Sequence, residues 1–310
     1  MMAEAAAGCA RLSLGERARR ARDAGAELLV GLIGAGIARS LTPAMQEAEA
    51  QAHGLRLDYQ LIDLEHLGDG PALLPALLQA ARDLGFAGLN ITYPCKQAVM
   101  PLLDGLSDEA RSMGAVNTVV FREGRIVGHN TDGSGWRWGF ERTLPDADLS
   151  RVVLLGAGGA GSAIGHSLCR MQAASLVVVD SARGRADALA ALLNSRPGAT
   201  NVSATSDAAS ALQGATGLIH ATPSGMDKLP GLPLDARLLR KDLWVSEIVY
   251  FPLDTALLAA ARALGCRVVD GGTMAVGQAI GAFELFTGRS ADAARVDAHF
   301  RRLIAAGANR

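Results

Sequence analysis

Short apolar runs of strand length recur between longer stretches with helical spacing, and this alternation happens twice along the chain. Few folds accommodate it, because strand, helix and strand in succession close a βαβ unit, and a series of such units builds a largely parallel sheet. In the first cycle, Glu27 to Gly34 (ELLVGLIG) reads as a strand. Pro43 to Gly54 reads as a helix opened by Thr42 and Pro43, and LDYQLIDL as the next strand. Leu73, Leu74, Leu77, Leu78, Ala81 and Leu84 fall at helical spacing and stop at Gly85. AGLNIT supplies a third strand, and NTVVFREGRIVGHN a hairpin turning near Glu123-Gly124.

The second cycle begins at Arg151 with RVVLLGAGGAGSAIG and continues through SLVVVD, NVSATS, GLIHATP, LWVSEIVY and RVVDGG. After Gly272 the pattern is purely helical, from Thr273 to Phe286 and from Ala291 to Ala306, with no strand to complete another unit. The expectation is an α/β chain of two α/β domains, 27–133 plus 273–310 and 134–272, with the C-terminal helices packing back on the first. Residues 1–26 form an extension, and its arginine-rich run (Arg17, Arg19, Arg20, Arg22) is read as a solvated helix. Two such halves make the cleft between them the natural place for a ligand.

Charge narrows what that ligand can be. Thirty basic against 31 acidic residues leave a net charge of −1, so no global field recruits nucleic acid or an anionic membrane. A small molecule is the expected partner, for a monomer or homodimer. Cys9, Cys95, Cys169 and Cys266 are widely spaced, without C-x-x-C or paired histidines, which points to free thiols, no metal and a reducing cytoplasm. No apolar run approaches the length of a membrane span, and the N-terminus lacks an apolar export core.

The most specific local signal is Gly156-Ala157-Gly158-Gly159-Ala160-Gly161, a G-x-G-x-x-G loop directly after an apolar strand and before a helical pattern. Gly156 permits the tight turn, Gly158 lets backbone approach a pyrophosphate, and Gly161 allows close helix–strand packing. Asp180 ends the next strand at about the 20-residue offset where a carboxylate binds the adenosine ribose hydroxyls. A carboxylate there repels a 2′-phosphate, which favours NAD over NADP, with Arg183 and Arg185 nearby to soften the preference.

Residues Gly88 to Val99 (GLNITYPCKQAV) carry a second signal. In a strand, Asn90 and Thr92 share one face while Leu89 and Ile91 share the other. With a helix beginning near Cys95, Lys96 would lie in its first turn, where the positive end of the macrodipole opposes a protonated amine and favours proton exchange. Downstream, GHNTDGSG (Gly128 to Gly135) contains Asp132, which either caps a helix or pairs with Lys96, and spacing leaves both open. His129 and His220 are read as structural, and Cys95 as a packed, inert thiol.

Taken together, several ordered motifs resemble the shikimate and quinate dehydrogenase family, from about Leu28 to Ala306. They are SLTP (Ser40 to Pro43), NITYPCK, GAVNT (Gly114 to Thr118), NTDG (Asn130 to Gly133), the glycine loop, ATPSGM (Ala221 to Met226) and DGGTMAVGQAIGAF (Asp270 to Phe283). The resemblance implies that Lys96 and Asp132 form the catalytic pair and that Ser40 and Thr42 bind a substrate carboxylate. It places Asn90, Thr92, Asn117, Tyr250 and Gln278 around a polyhydroxylated ring. It further implies that Ser181 and Arg185 flank the ribose beside Asp180, and that Thr222, Pro223, Ser224, Val249, Gly271 and Met274 hold the nicotinamide side of the cofactor.

Two departures from the biosynthetic pattern stand out. Thr42 replaces a second serine, and Asp180-Ser181-Ala182 stands where an Asn-Arg-Thr type stretch binds the NADP phosphate. Both resemble the NAD-linked quinate/shikimate dehydrogenases of catabolism. The expectation is NAD-dependent interconversion of quinate with 3-dehydroquinate and of shikimate with 3-dehydroshikimate. The alternatives are a biosynthetic NADP-dependent shikimate dehydrogenase and a non-catalytic dinucleotide-binding redox sensor.

Overall fold

A computed structural model describes residues 2–67, 70–196 and 198–307, with side chains from residue 13 onward. The side chain of Cys9 lies outside the described residues. The chain divides into two compact units, Met1–Thr131 with Ala279–Arg310, and Asp132–Gln278.

The first unit holds α1 (Met2–Asp23), β1 (Leu28–Gly34), α2 (Thr42–Ala52), β2 (Leu57–Asp63), α3 (Leu74–Asp83) and β3 (Phe86–Ile91). These are followed by β4 (Gly105–Leu106), α4 (Asp108–Met113), β5 (Thr118–Arg122) and β6 (Arg125–His129). The strands form a six-stranded mixed sheet in the order β2-β1-β3-β5-β6-β4. β1 runs parallel to β2 and β3 and is almost wholly buried, as expected of a strand covered on both faces. β5 and β6 form the expected hairpin, with Glu123 and Gly124 both at positive φ (53° and 74°), the requirement of a two-residue type I′ turn.

Two local expectations are corrected. The N-terminal helix is solvated only on its arginine face: Arg19, Arg20 and Arg22 are exposed, but Leu14, Ala18 and Ala21 are buried in the same core as Leu74, Leu77 and Leu89. Their spacing places them on one helix face, and Arg17 donates to the Leu61 carbonyl (2.7 Å) while its stem stays half-buried. The helix α2 begins at Thr42 with Pro43 in its first turn, as expected; Leu41 is its N-cap, and Ser40 Oγ accepts the Thr42 N–H (3.3 Å). Finally, no helix starts at Cys95. Residues 96–99 form turns, and a short 3-10 segment (Met100–Leu102) follows with Pro101 inside it. The macrodipole argument for Lys96 fails with that helix.

The second unit holds α5 (Asp132–Thr143), β7 (Val152–Leu155), α6 (Gly159–Arg170), β8 (Ser175–Val179), α7 (Arg183–Asn194) and β9 (Asn201–Thr205). It continues with α8 (Ala208–Ala211), β10 (Gly217–His220), β11 (Trp244–Glu247), α9 (Ala256–Ala263) and β12 (Val268–Val269). All six strands are parallel, in the order β9-β8-β7-β10-β11-β12. That is the doubly wound dinucleotide-binding order, with its switch point between β7 and β10. The helix α10 (Gly271–Thr287) spans the second division of the chain, and α11 (Ala293–Gly307) follows. In the first unit the Glu49 carboxylate, buried in α2, accepts two hydrogen bonds from Arg295 on α11 (both 2.7 Å), which ties the C-terminal helix to this unit. Among the described residues, no helix is long and apolar enough to cross a membrane.

Candidate active site

In the first unit, a chain of neutral side chains links β2, β3, β5 and the segment after β6. The Tyr59 hydroxyl on β2 donates to Asn90 Oδ1 on β3 (2.7 Å), and burial pushes this phenol well above the ordinary range, which keeps it a donor. Asn90 Nδ2 donates to Thr118 Oγ1 (3.1 Å), which donates to Asn117 Oδ1 (3.0 Å). Asn117 Nδ2 donates to Thr131 Oγ1 (2.9 Å), and the Thr131 N–H returns a bond to Asn117 Oδ1 (2.8 Å). Thr92 follows β3, its N–H donating to Ile33 O (2.9 Å) at the end of β1. The carbonyl of Lys96 accepts from Val116 N (2.9 Å), the residue before Asn117. Sequence-predicted Asn90, Thr92, Lys96 and Asn117 are thus set on adjoining backbone. Ser40 and Thr42, both half-buried, sit at the start of α2. Cys95 is fully buried, and burial raises its thiol to about 11, as befits an inert packed group.

The second unit builds its polar surface from backbone. Gly156 takes a positive φ of 102°, and a Cβ there would lie 2.6 Å from the Ala221 carbonyl oxygen and 3.0 Å from Thr222 Cγ2. The glycine loop and the loop after β10 are therefore in contact at the switch point. A Cβ on Gly161 would collide with the Gly156 carbonyl, so only glycine lets α6 start this close to β7. Gly158 and Gly159 are exposed, and a Cβ on either would meet nothing within 4 Å. Gly158 N-caps α6 without a side chain, so the first-turn N–H groups face outward as an anion cradle. This fits a pyrophosphate.

Asp180, which follows β8, is held rigidly beside this cradle. Its Oδ2 accepts from Ala157 N (3.0 Å) and its Oδ1 from Ala182 N (2.9 Å), with the side chain only 9% exposed. The Arg185 Nε lies 3.6 Å from Oδ1, while Arg183 is taken up by Asp187 (2.9 Å). Ser181 and Arg185 are exposed. Its two oxygens, each already accepting one backbone N–H, have lone pairs left to accept further donors.

Asp132 opens α5 and is almost fully buried. That helix runs against α10 on glycine: a Cβ on Gly135 would lie 2.6 Å from Gln278 N and 3.0 Å from Gln278 Cγ. Asp132 and Gln278 therefore stand on the abutting turns of two helices. A Cβ on Gly271 would lie 2.5 Å from the Ile248 carbonyl oxygen and would collide with that of Val249, which brings Gly271 and Val249 together. Met274 is buried in the second core with Trp136 and Phe140, and Tyr250 is half-buried beside Phe251 (ring centroids 4.8 Å apart). Thr222 and Ser224 are half-buried and Pro223 is exposed.

Sequence reasoning missed two polar groups. Tyr59, which anchors Asn90, hides in an apolar strand. Glu247, at the end of β11, bonds His220, its register partner at the end of β10. Equal offsets from two parallel strand ends were the available signal.

A family profile described as the shikimate dehydrogenase substrate binding domain matches residues 32–119. The chain is 54% identical to a shikimate dehydrogenase (NADP(+)) of Streptomyces avermitilis, over 91% of this chain and 98% of that one. It is 48% identical to a quinate/shikimate dehydrogenase (NAD(+)) of Corynebacterium efficiens, over 89% and 98%. Its structure matches that of the quinate dehydrogenase of Corynebacterium glutamicum in complex with NAD, with a TM-score of 0.83 and 45% identity over 89% and 99% of the two chains.

Proposed function

The chain belongs to the shikimate and quinate dehydrogenase family and is an NAD(P)-dependent oxidoreductase interconverting shikimate or quinate with its dehydro form; from this premise we propose that NAD is its preferred carrier. The observation that supports NAD is the Asp180 carboxylate, fixed by Ala157 N and Ala182 N beside the α6 cradle. A ribose diol donates to such a group, whereas a 2′-phosphate meets like charge in a half-shielded position. The chain is more identical to an NADP(+) relative than to an NAD(+) relative, so this reading rests on the carboxylate alone.

For the chemistry, Lys96 and Asp132 are the proposed pair. A nicotinamide held by the loops after β10 and β11 would supply the hydride acceptor for the carbinol carbon. Lys96 Nζ takes the hydroxyl proton as the carbonyl forms, and Asp132 orients the amine and the hydroxyl. Ser40 and Thr42 hold the carboxylate, and Asn90, Thr92, Asn117, Tyr250 and Gln278 match the ring hydroxyls with neutral donors and acceptors.

Steady-state oxidation of shikimate and quinate, each with NAD and with NADP, tests the carrier: kcat/KM is expected to be higher with NAD, and a preference for NADP overturns it. In the same assay Lys96→Ala should lower kcat by about 10²–10⁴-fold with cofactor affinity unchanged. Wild-type turnover would remove Lys96 from the chemistry.

A further inference from the structure

The ends of β10 and β11 carry a buried polar chain that the reaction as described does not use. Glu247 and His220 are both fully buried. Every neighbour of the Glu247 carboxylate donates to it. Ile248 N (2.8 Å) and Val249 N (3.0 Å) donate to Oε1, and Thr255 Oγ1 (3.0 Å) to Oε2. The Thr255 hydroxyl itself accepts from Leu258 N (3.3 Å), which directs its own proton toward Glu247. His220 Nδ1 faces both carboxylate oxygens (2.8 and 3.0 Å) and so carries the ring proton. In the neutral ring Nε2 is then an acceptor, and Thr222 Oγ1 lies 2.5 Å from it.

We propose that Glu247, His220 and Thr222 form a positioning relay that spends the Thr222 hydroxyl proton inward and presents its oxygen outward only as an acceptor, shaped for the carboxamide N–H donors of a nicotinamide. The proposal rests on the assignment of the loop after β10 to the nicotinamide. Two features of the relay serve that end. The Ser224 N–H approaches the same Thr222 oxygen (3.3 Å), so the relay also sets the turn of the loop. Glu247 simultaneously pins the backbone of Ile248 and Val249, whose carbonyls abut Gly271. One buried carboxylate therefore orders the loops after β10 and after β11 together. His220 is a positioning residue: it acts through Thr222.

Binding of NADH and of ADP-ribose, which lacks the nicotinamide, separates this role from a merely structural one. His220→Asn retains a donor toward Glu247 and removes the acceptor facing Thr222, whereas His220→Gln places an acceptor back toward Thr222. The expected result is that His220→Asn weakens NADH about tenfold, leaves ADP-ribose within about twofold, and that His220→Gln recovers most of the loss. Equal weakening of both ligands in His220→Asn, or unchanged NADH binding, would overturn the relay. Thr222→Val distinguishes the two levels of the reading. If it weakens NADH while His220→Asn does not, the relay alone is wrong. If Thr222→Val leaves NADH binding unchanged, the assignment of the loop to the nicotinamide is wrong, and the relay with it.

Discussion

The polar surfaces of the two units are built from different groups. In the first, neutral side chains bridge from strand to strand, from Tyr59 through Asn90, Thr118 and Asn117 to Thr131. In the second, the exposed donors are backbone N–H groups at the glycine-capped start of α6, and the side-chain bonds behind them are anchored on the carboxylates of Asp180 and Glu247. The difference teaches where each unit is vulnerable. A surface made of side chains is damaged by deleting an atom, and one made of backbone is damaged by adding one.

The largest effect expected from this contrast is at the glycine loop. Gly161→Ala forces a Cβ into the Gly156 carbonyl and should weaken dinucleotide binding about a hundredfold, read by fluorescence titration. Gly158→Ala sharpens the point, because its Cβ meets no protein atom. Its melting temperature should match wild type while affinity still falls, and retained affinity would mean that no phosphate approaches Gly158.

Deletion in the first unit should cost less. Asn117→Ala leaves Thr118 and Thr131 without their shared partner, and should lower stability by about 1–3 kcal/mol in denaturant unfolding. Cofactor affinity in this variant should not change; if it does, the division of labour between the units is not what the hydrogen bonds suggest.

The second unit should also carry a pH dependence. Burial, with the charge of Arg196 adding to it, pulls the His166 imidazole down to about 4. The unfolded chain binds that proton near its ordinary value of about 6.5, so between the two the unfolded state carries more protons. Stability should therefore decline as pH falls from about 6.5 to about 4, with no further loss from this group below that. His166→Leu should flatten this part of the melting profile relative to wild type.

The contrast also explains what was legible in the sequence. The second unit was readable because a parallel sheet buried on both faces demands continuous apolar runs, and because only glycine fits where Gly156 and Gly161 stand. The first unit was readable for β1, α3 and the β5–β6 hairpin, whose patterns are strong. It was not readable at α1, where, among the described side chains, two of the three buried ones are the small Ala18 and Ala21 set among arginines. Nor was it readable at residues 95–102, where turns and a 3-10 segment stand in place of the expected helix start. Side-chain networks such as Tyr59–Asn90 and Glu247–His220 join residues 31 and 27 positions apart, and only strand register brings them together.

The proposed preference for NAD rests on the fixed Asp180 carboxylate. The direct measurement is the ratio of kcat/KM with NAD to that with NADP, before and after Asp180→Ala. The account predicts a wild-type ratio of at least about ten that falls toward one in the variant, mainly through recovered use of NADP. A wild-type ratio below one, or a ratio that the substitution leaves unmoved, would contradict it.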